Sequence, residues 1–497
     1  MDAGMRSRSA SVADQVSSDT GTTVGFRSER GAVLMALMLA TGLIAIDATI
    51  LATAVPSVVA DLGQWDQFPW LFSVYLLAQA VSVPIYSKLA DTIGRKPVIL
   101  VGVALFGVGS VAAGLAWNMT ALIVFRVIQG LGAGAIAPMS MTIIGDIYSV
   151  AERALVQGYI ASVWAVSSVV GPALGGVFSQ FFSWRWIFWV NIPLCLIAGW
   201  ALWRKYDEQI ERREHHIDYL GAGLLTVGLT AVILALLEGG NAWAWLSWRS
   251  VLSFGVGIAA LVAFPWAERR ASEPVLDLRI FSRPLIMTTT LVSLGIGALM
   301  TGVTSFVPTF LEGSLNVMPL ISGVAVAALT LGWPLAAALA GRLYLTRGYR
   351  TTVLLGSTIA TVGAVCLALT APWPNQWTVA AASFVIGFGL GWTAAPSLIA
   401  AQASVDWNER GLVTGSNVLA RSVGSAVGVA IYGAIANNLV AARGGVQDPS
   451  SVIFAFGWVF VAVAVSAALM MVAAGGMPRG GVDSEAYSVT VAEAVAD

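Results

Sequence analysis

The chain has 497 residues, of which 57% are hydrophobic and 11% charged, with a mean hydropathy of +0.81 and a formal net charge of −1. Soluble domains carry about 25% charged residues, so this composition excludes an ordinary soluble domain and places the chain among membrane proteins. Lysine occurs only at 88, 96 and 205, never after a glycine, so there is no GxxxxGK[ST] phosphate loop and an ATP-driven motor would have to sit on another polypeptide. Cys195 and Cys366 both fall in apolar segments, and no disulfide framework is expected.

Residues 1–30 are rich in Ser, Thr, Asp and Arg with no apolar core, which predicts a disordered cytoplasmic tail and not a cleaved leader. A membrane helix needs about 20 mostly apolar residues. Runs of that kind are predicted at 31–56, 69–89, 97–116, 119–146, 155–181, 184–203, 218–238, 249–267, 284–311, 318–341, 351–371, 377–402, 412–437 and 451–474. A second disordered cytoplasmic tail is predicted at 475–497. With the N-terminus inside, tails and inner loops hold 21 of the 26 Lys and Arg residues, and the outer loops hold only Arg185, Arg249 and Arg443. The positive-inside rule then puts both termini in the cytoplasm.

The chain repeats internally. SKLADTIGRK (Ser87 to Lys96) returns as GRLYLTRGYR (Gly341 to Arg350) at an offset of 254. Glu152-Arg153 returns as Glu409-Arg410, and Gly130, Gly132 and Gly134 return as Gly387, Gly389 and Gly391, at an offset of 257. Spans 1–6 therefore repeat as spans 9–14, which predicts two parallel six-helix bundles with a cavity between them. The expected domains are an N-terminal bundle at 31–203, a linker with a two-helix hairpin at 204–283, and a C-terminal bundle at 284–474.

Two charges lie inside spans of the first half. Asp47 is about nine residues from the outer end of span 1 and Arg126 about seven from that of span 4, so both sit roughly 10–14 Å below the outer surface. A charged group at that depth costs about 2.5–3.5 kcal/mol by insertion scales and marks a partner, a cavity or a pathway. A carboxylate there is a tunable proton carrier, because desolvation and a nearby cation shift it in opposite directions. The alternative is a permanent ion pair that locks two helices. Leu299 and Ser383 occupy the corresponding positions of the second half, so coupling is expected in the N-terminal bundle.

IDATILATAVP (Ile46 to Pro56), SKLADTIGRK, FRVIQGLGAG, VVGPALGG (Val169 to Gly176), WRWIFWVNIP (Trp184 to Pro193) and RSVGSAVGVA (Arg421 to Ala430) occur in order at the expected spans. The chain resembles the major facilitator superfamily, in its fourteen-helix drug:H+ antiporter group. Ser87 and Ser149 depart from the glycine and proline usual in that pattern, which affects loop geometry and removes no charge. The resemblance implies an all-α integral membrane protein of the major facilitator fold, two six-helix bundles plus an inserted hairpin, with Asp47 and Arg126 in proton coupling. It also implies a conformational latch built from Asp91, Gly94, Arg95, Lys96 and Asp146, and an antiporter signature at Gly171, Pro172, Gly175 and Gly176. Simple positive-inside anchoring accounts for Arg95 and Lys96 but not for Asp91.

Tyr75, Gln79, Gln129, Trp164, Trp333, Trp392, Asn417 and Arg421 are candidate cavity residues, since pockets are mostly apolar with a few polar groups. For the tryptophans, packing is an equal reading. Arg421 lies mid-span and could meet a polar or anionic substrate group or pair with a carboxylate. His215-His216 sits in a charged loop where a metal site is not expected, and Trp243, Trp245 and Trp248 read as an interfacial belt. The expectation is a monomeric, proton-coupled secondary transporter of a bacterial inner membrane that exports apolar or amphiphilic small molecules by alternating access, with no cofactor and no nucleic-acid partner. The alternatives are a lipid exporter of the same fold and, from another class, a membrane receptor or assembly factor. No nucleophile and base, metal cluster or cofactor loop suggests an enzyme.

Overall fold

A computed structural model of the chain describes residues 25, 26, 28, 30–148, 150–208, 218–240, 242–272, 274, 276, 278–405, 410–445 and 447–479. His215, His216 and most of both predicted tails lie outside the described residues. The described chain contains fourteen helices long and apolar enough to cross a membrane. Helix is the conformation that an apolar run must take in lipid, because it satisfies every backbone N–H and C=O within the segment.

In chain order the helices are α1 (Gly31–Leu62), α2 (Phe68–Ile93), α3 (Arg95–Gly114), α4 (Met119–Ile147), α5 (Val150–Phe181), α6 (Trp186–Lys205), α7 (Tyr219–Glu238), α8 (Trp248–Glu268), α9 (Pro284–Leu315), α10 (Pro319–Arg347), α11 (Tyr349–Thr370), α12 (Gln376–Ala403), α13 (Arg410–Ala442) and α14 (Pro449–Gly475). The first helix continues six residues past the expected end at Pro56, because its last turn is held outside the apolar stretch by Asp61, which accepts hydrogen bonds from Arg185 (2.6 Å) and the Trp184 indole (3.0 Å). Helix α6 is interrupted at Val190. The face where α1 begins and α14 ends is called the terminal face below, and the opposite one the far face.

The internal repeat is visible in the details that start and pack helices. Asn118 caps α4 by accepting from the Ala121 N–H (2.7 Å), and Asn375 caps α12 by accepting from the Trp377 N–H (2.9 Å). Gly94 and Gly348 hold the same place between α2 and α3 and between α10 and α11, both with positive φ (103° and 81°) that disfavours a side chain. The α4 glycines face two neighbours in alternation. A Cβ at Gly130 or Gly134 would strike α2, and one at Gly132 would strike α3. In the second half Gly387 and Gly391 meet α10, and Gly389 meets α11, in the same order. The small residues let backbones approach where lipid supplies no hydrophobic drive for helix association.

The halves meet along two lines, α2 on α13 and α5 on α10, with α1 touching α9 between them. Near the far face these seams are tight. The Ser73 hydroxyl donates to Ala426 O (3.3 Å), the Asn437 amide donates to Asp66 O (2.5 Å), and Gly176 and Gly323 pack backbone to backbone against Leu320 and Pro172. Phe68 meets Phe306 edge to face with centroids 5.5 Å apart. Toward the terminal face Gly415 of α13 is exposed, and a Cβ there would find nothing within 4 Å. The hairpin α7–α8 packs outside the seam, with α7 against both α2 and α13.

Candidate functional site

The charges of α1 and α4 meet. Arg126 Nη1 donates to Asp47 Oδ2 at 2.7 Å, and both residues are only 1% exposed. The same nitrogen donates to Gln129 Oε1 (2.6 Å), whose amide group in turn donates to Asp47 Oδ1 (2.8 Å) and to Ser110 Oγ (3.0 Å). Spacing three apart on α4 places Arg126 and Gln129 on one face, so one helix supplies both donors to the carboxylate. Arg126 Nε donates to the Leu71 carbonyl of α2 (3.1 Å), and its guanidinium lies 4.1 Å from the Tyr75 ring centroid. Asn191 of α6 closes the network by donating to Ser110 Oγ at 3.5 Å.

Both carboxylate oxygens of Asp47 are thus engaged, and four of the other helices of this half supply groups to the network. A buried pair of this kind is expensive to form and more expensive to break on one side, at about 3–5 kcal/mol. Protonation of Asp47 removes the ion pair, so proton binding and the contacts of α1 with α4 are physically linked.

The candidate cavity residues divide in two. Tyr75 and Gln129 are buried in the charge cluster itself, and the Tyr75 hydroxyl has no hydrogen-bond partner among the described residues. Asn417 is buried between α13 and α9, where its Oδ1 accepts from Ser293 (2.6 Å) and its Nδ2 donates to Val413 O (3.0 Å). Trp392 lines a cavity of about 450 Å³ on the flank of the second half, with Leu339, Leu343, Arg347 and Leu355. Trp164 is 39% exposed, Gln79 and Trp333 are half-buried, and Arg421 is exposed on α13 although it lies deep among the helices.

At the terminal face Arg95 pairs with Asp146, so this arm of the expected latch closes within the first half. The side chain of Asp91 lies outside the described residues. Sequence reasoning missed the partners that follow α6. The Glu208 carboxylate accepts from the backbone N–H groups of Arg95 (2.7 Å) and Lys96 (2.9 Å), capping the start of α3, and Asp207 lies 3.7 Å from Lys96 Nζ. Burial raises the Tyr206 hydroxyl above the usual phenol range, with the nearby Glu208 and Asp146 carboxylates pushing the same way. That hydroxyl stays neutral across physiological pH.

The glycines of the α5 motif point to α1. Added side chains at Gly171 and Gly175 would overlap the Thr49 and Thr53 hydroxyls, and Pro172 O accepts from Thr53 (3.4 Å). Gly176 instead faces α10 of the other half, so the motif straddles an intra-bundle contact and a seam. Two further half-buried acids escaped the sequence reading because each lies near a helix end. Glu312 accepts from Ser322 Oγ (2.6 Å), and Glu238 of α7 accepts from the Trp70 indole (2.8 Å).

The chain as a whole is similar to several known proteins. The Bacillus subtilis (strain 168) multidrug transporter protein MdtP is 32% identical over 415 residues, 83% of this chain and 76% of that protein. Multidrug resistance protein 3 of the same organism is 30% identical over 418 residues, 84% of this chain and 82% of that protein. Among solved structures, the D-xylose-proton symporter superposes with a TM-score of 0.63 at 13% identity, covering 92% of this chain and 99% of that one. A bacterial homologue of the human lysosomal transporter Spinster gives 0.64 at 18% identity, covering 91% and 98%. At such identities the superpositions show the fold alone. The profile of the Major Facilitator Superfamily matches residues 37–429. On that match, and on relatives that are themselves transporters, the chain is a multi-pass membrane transporter and not an enzyme, and it belongs to the Major Facilitator Superfamily.

Proposed function

We propose that this transporter exports apolar or amphiphilic small molecules in exchange for protons, by alternating access, as a monomer in a bacterial inner membrane with its terminal face in the cytoplasm. The observation that carries the reading is the Asp47–Arg126–Gln129 cluster, a titratable group with every oxygen engaged, buried in one half only. A static scaffold has no need for such a group in a membrane, where ionisable residues mark proton and ion pathways. The names of the bacterial relatives support drug-like substrates over lipids. The contacts that join the halves at the far face, Ser73 with Ala426 and Asn437 with Asp66, support a reading in which cargo loads from the cytoplasmic side. The proton gradient supplies the energy, and no cofactor takes part. Protonation of Asp47 from the far side frees α1 from α4, and its release on the terminal side restores the pair. Substrate is moved in the intervening rearrangement.

The test is Asp47→Asn in proteoliposomes with a pH-sensitive dye inside. Because asparagine keeps an acceptor oxygen for Arg126, which also retains its bonds to Gln129 and Leu71 O, the variant is expected to insert and bind substrate while substrate-dependent proton movement falls at least a hundredfold. Proton-coupled flux at the wild-type rate would sink the proposal.

A further inference from the structure

The repeat relates the accessible cavity positions in pairs. An offset of 257 matches Arg421 with Trp164, and an offset of 254 matches Gln79 with Trp333. Each pair has one polar member and one tryptophan. Because α2 runs beside α13 and α5 beside α10, the polar members share one wall and the tryptophans the other.

On the polar wall, the Ser73–Ala426 bond sets the register of two antiparallel helices. Arg421 lies five residues toward the terminal face from Ala426, and Gln79 six residues from Ser73, so the two sit at about the same depth, roughly 8–9 Å below the seal. Leu77 and Val81 face the hairpin, and Tyr75 and Ala78 face α4, which leaves Gln79 toward the space between the halves. Arg421 is exposed on the same face of α13 as Asn417 and Ser425, which bond α9. No hydrogen bond or ion pair engages its guanidinium among the described residues. The mid-membrane carboxylate that could neutralise it, Asp47, has both oxygens committed elsewhere. The cavity therefore carries an uncompensated positive charge on one side and indole surface on the other.

We infer that this cavity takes amphiphiles with an aromatic body and an anionic group, a carboxylate or sulfonate, with Arg421 and Gln79 receiving the anion and Trp164 and Trp333 the rings. The inference rests on the exporter reading and names its substrate class. An unpaired guanidinium between low-dielectric walls attracts anions and repels cations, and its bonds to an oxyanion are charge-assisted. The tryptophan wall supplies apolar area to the rest of the molecule.

The experiment measures binding of a fluorescent aromatic carboxylate, its neutral methyl ester and a cationic amine of the same ring system. The protein is held in phosphatidylcholine nanodiscs with no proton gradient. Arg421→Gln is expected to weaken the carboxylate about tenfold or more while the ester stays within about twofold, and Arg421→Lys to recover part of the loss. Trp164→Ala should weaken carboxylate and ester alike. Equal loss of carboxylate and ester on Arg421→Gln would show a structural role and overturn the proposal, as would no carboxylate binding by the wild type, or no change in it. Arg421-dependent displacement of the carboxylate by phosphatidylglycerol would move the site to anionic lipid, which also overturns it. Since binding is read without a gradient, failure of proton coupling in liposomes leaves this result standing and counts against the exporter reading alone.

Discussion

The two halves share a scaffold and differ in charge. Helices α4 and α12 begin on the same asparagine cap and pack through the same three glycines against equivalent partners. Where the first half places Asp47, Arg126 and Gln129, the second has Leu299, Ser383 and Ile386, all buried. Glycine spacing is thus the cost of building either bundle, and the charge network is an addition that one bundle carries. The reverse asymmetry appears in the cavity, where the second half supplies the free cation and the first an indole at the matching position. The duplication has left a buried ion pair in one half and, among the described residues, an unpaired guanidinium in the other.

That division can be broken most severely at Arg126. Arg126→Leu leaves the Asp47 carboxylate buried without its cation, a loss of about 3–5 kcal/mol that should appear as collapse of the monodisperse peak in size-exclusion chromatography. Copying the second half with Asp47→Leu and Arg126→Ser together should recover most of the folded yield and none of the proton-coupled transport. If the double variant is as unstable as the single one, the cluster is scaffold. Next in size, Gly130→Val and Gly387→Val should each destabilise by about 1–3 kcal/mol and lower the melting temperature in detergent by similar amounts, because the repeated packing is the same. A strongly unequal pair of melting shifts would end the claim of equivalent architecture. Gln129→Ile, the second half's residue, removes two bonds to the charged pair and should cost about 1–3 kcal/mol, read as slower proton-coupled flux with substrate binding retained. Smallest of all is Ser383→Ala. The Ser383 hydroxyl is buried with no partner among the described residues, so its removal should be neutral or stabilising by less than about 1 kcal/mol in thermal melting, with transport unchanged.

Much of the fold was legible because membrane helices announce themselves by length and apolarity, and because a duplication repeats its caps and glycines at fixed offsets. Depth was legible too, since rise per residue put Asp47 and Arg126 in one layer. Direction around the helix was not. Tyr75 and Gln79 are four apart on α2, yet Tyr75 lies under Arg126 while Gln79 is half-buried outside the charge cluster. Gln129 and Asn417 read as substrate contacts and are consumed in packing networks, because a buried amide in a span finds a partner before it finds a ligand. Ser110, Asn191 and the Leu71 carbonyl carry no signal of their own, since a hydroxyl or amide in a span is common and a backbone acceptor has no side chain to read. The loop acids Asp207 and Glu208 were passed over as part of a solvated charge run, whereas two carboxylate oxygens at a helix start are a capping device.

The hairpin has a consequence for traffic with the bilayer. Helix α7 packs Leu225, Leu229, Ile233 and Leu237 over Leu77, Val81, Ala426 and Ala430. The Trp70–Glu238 bond and the Asn438 amide donating to Gly239 O (3.4 Å) fasten it to both halves. It covers the outer side of the α2–α13 seam. The other seam, α5 against α10, has no such cover among the described helices. A hydrophobic solute slipping in from the membrane would enter there, and the first large surfaces it met would be indoles.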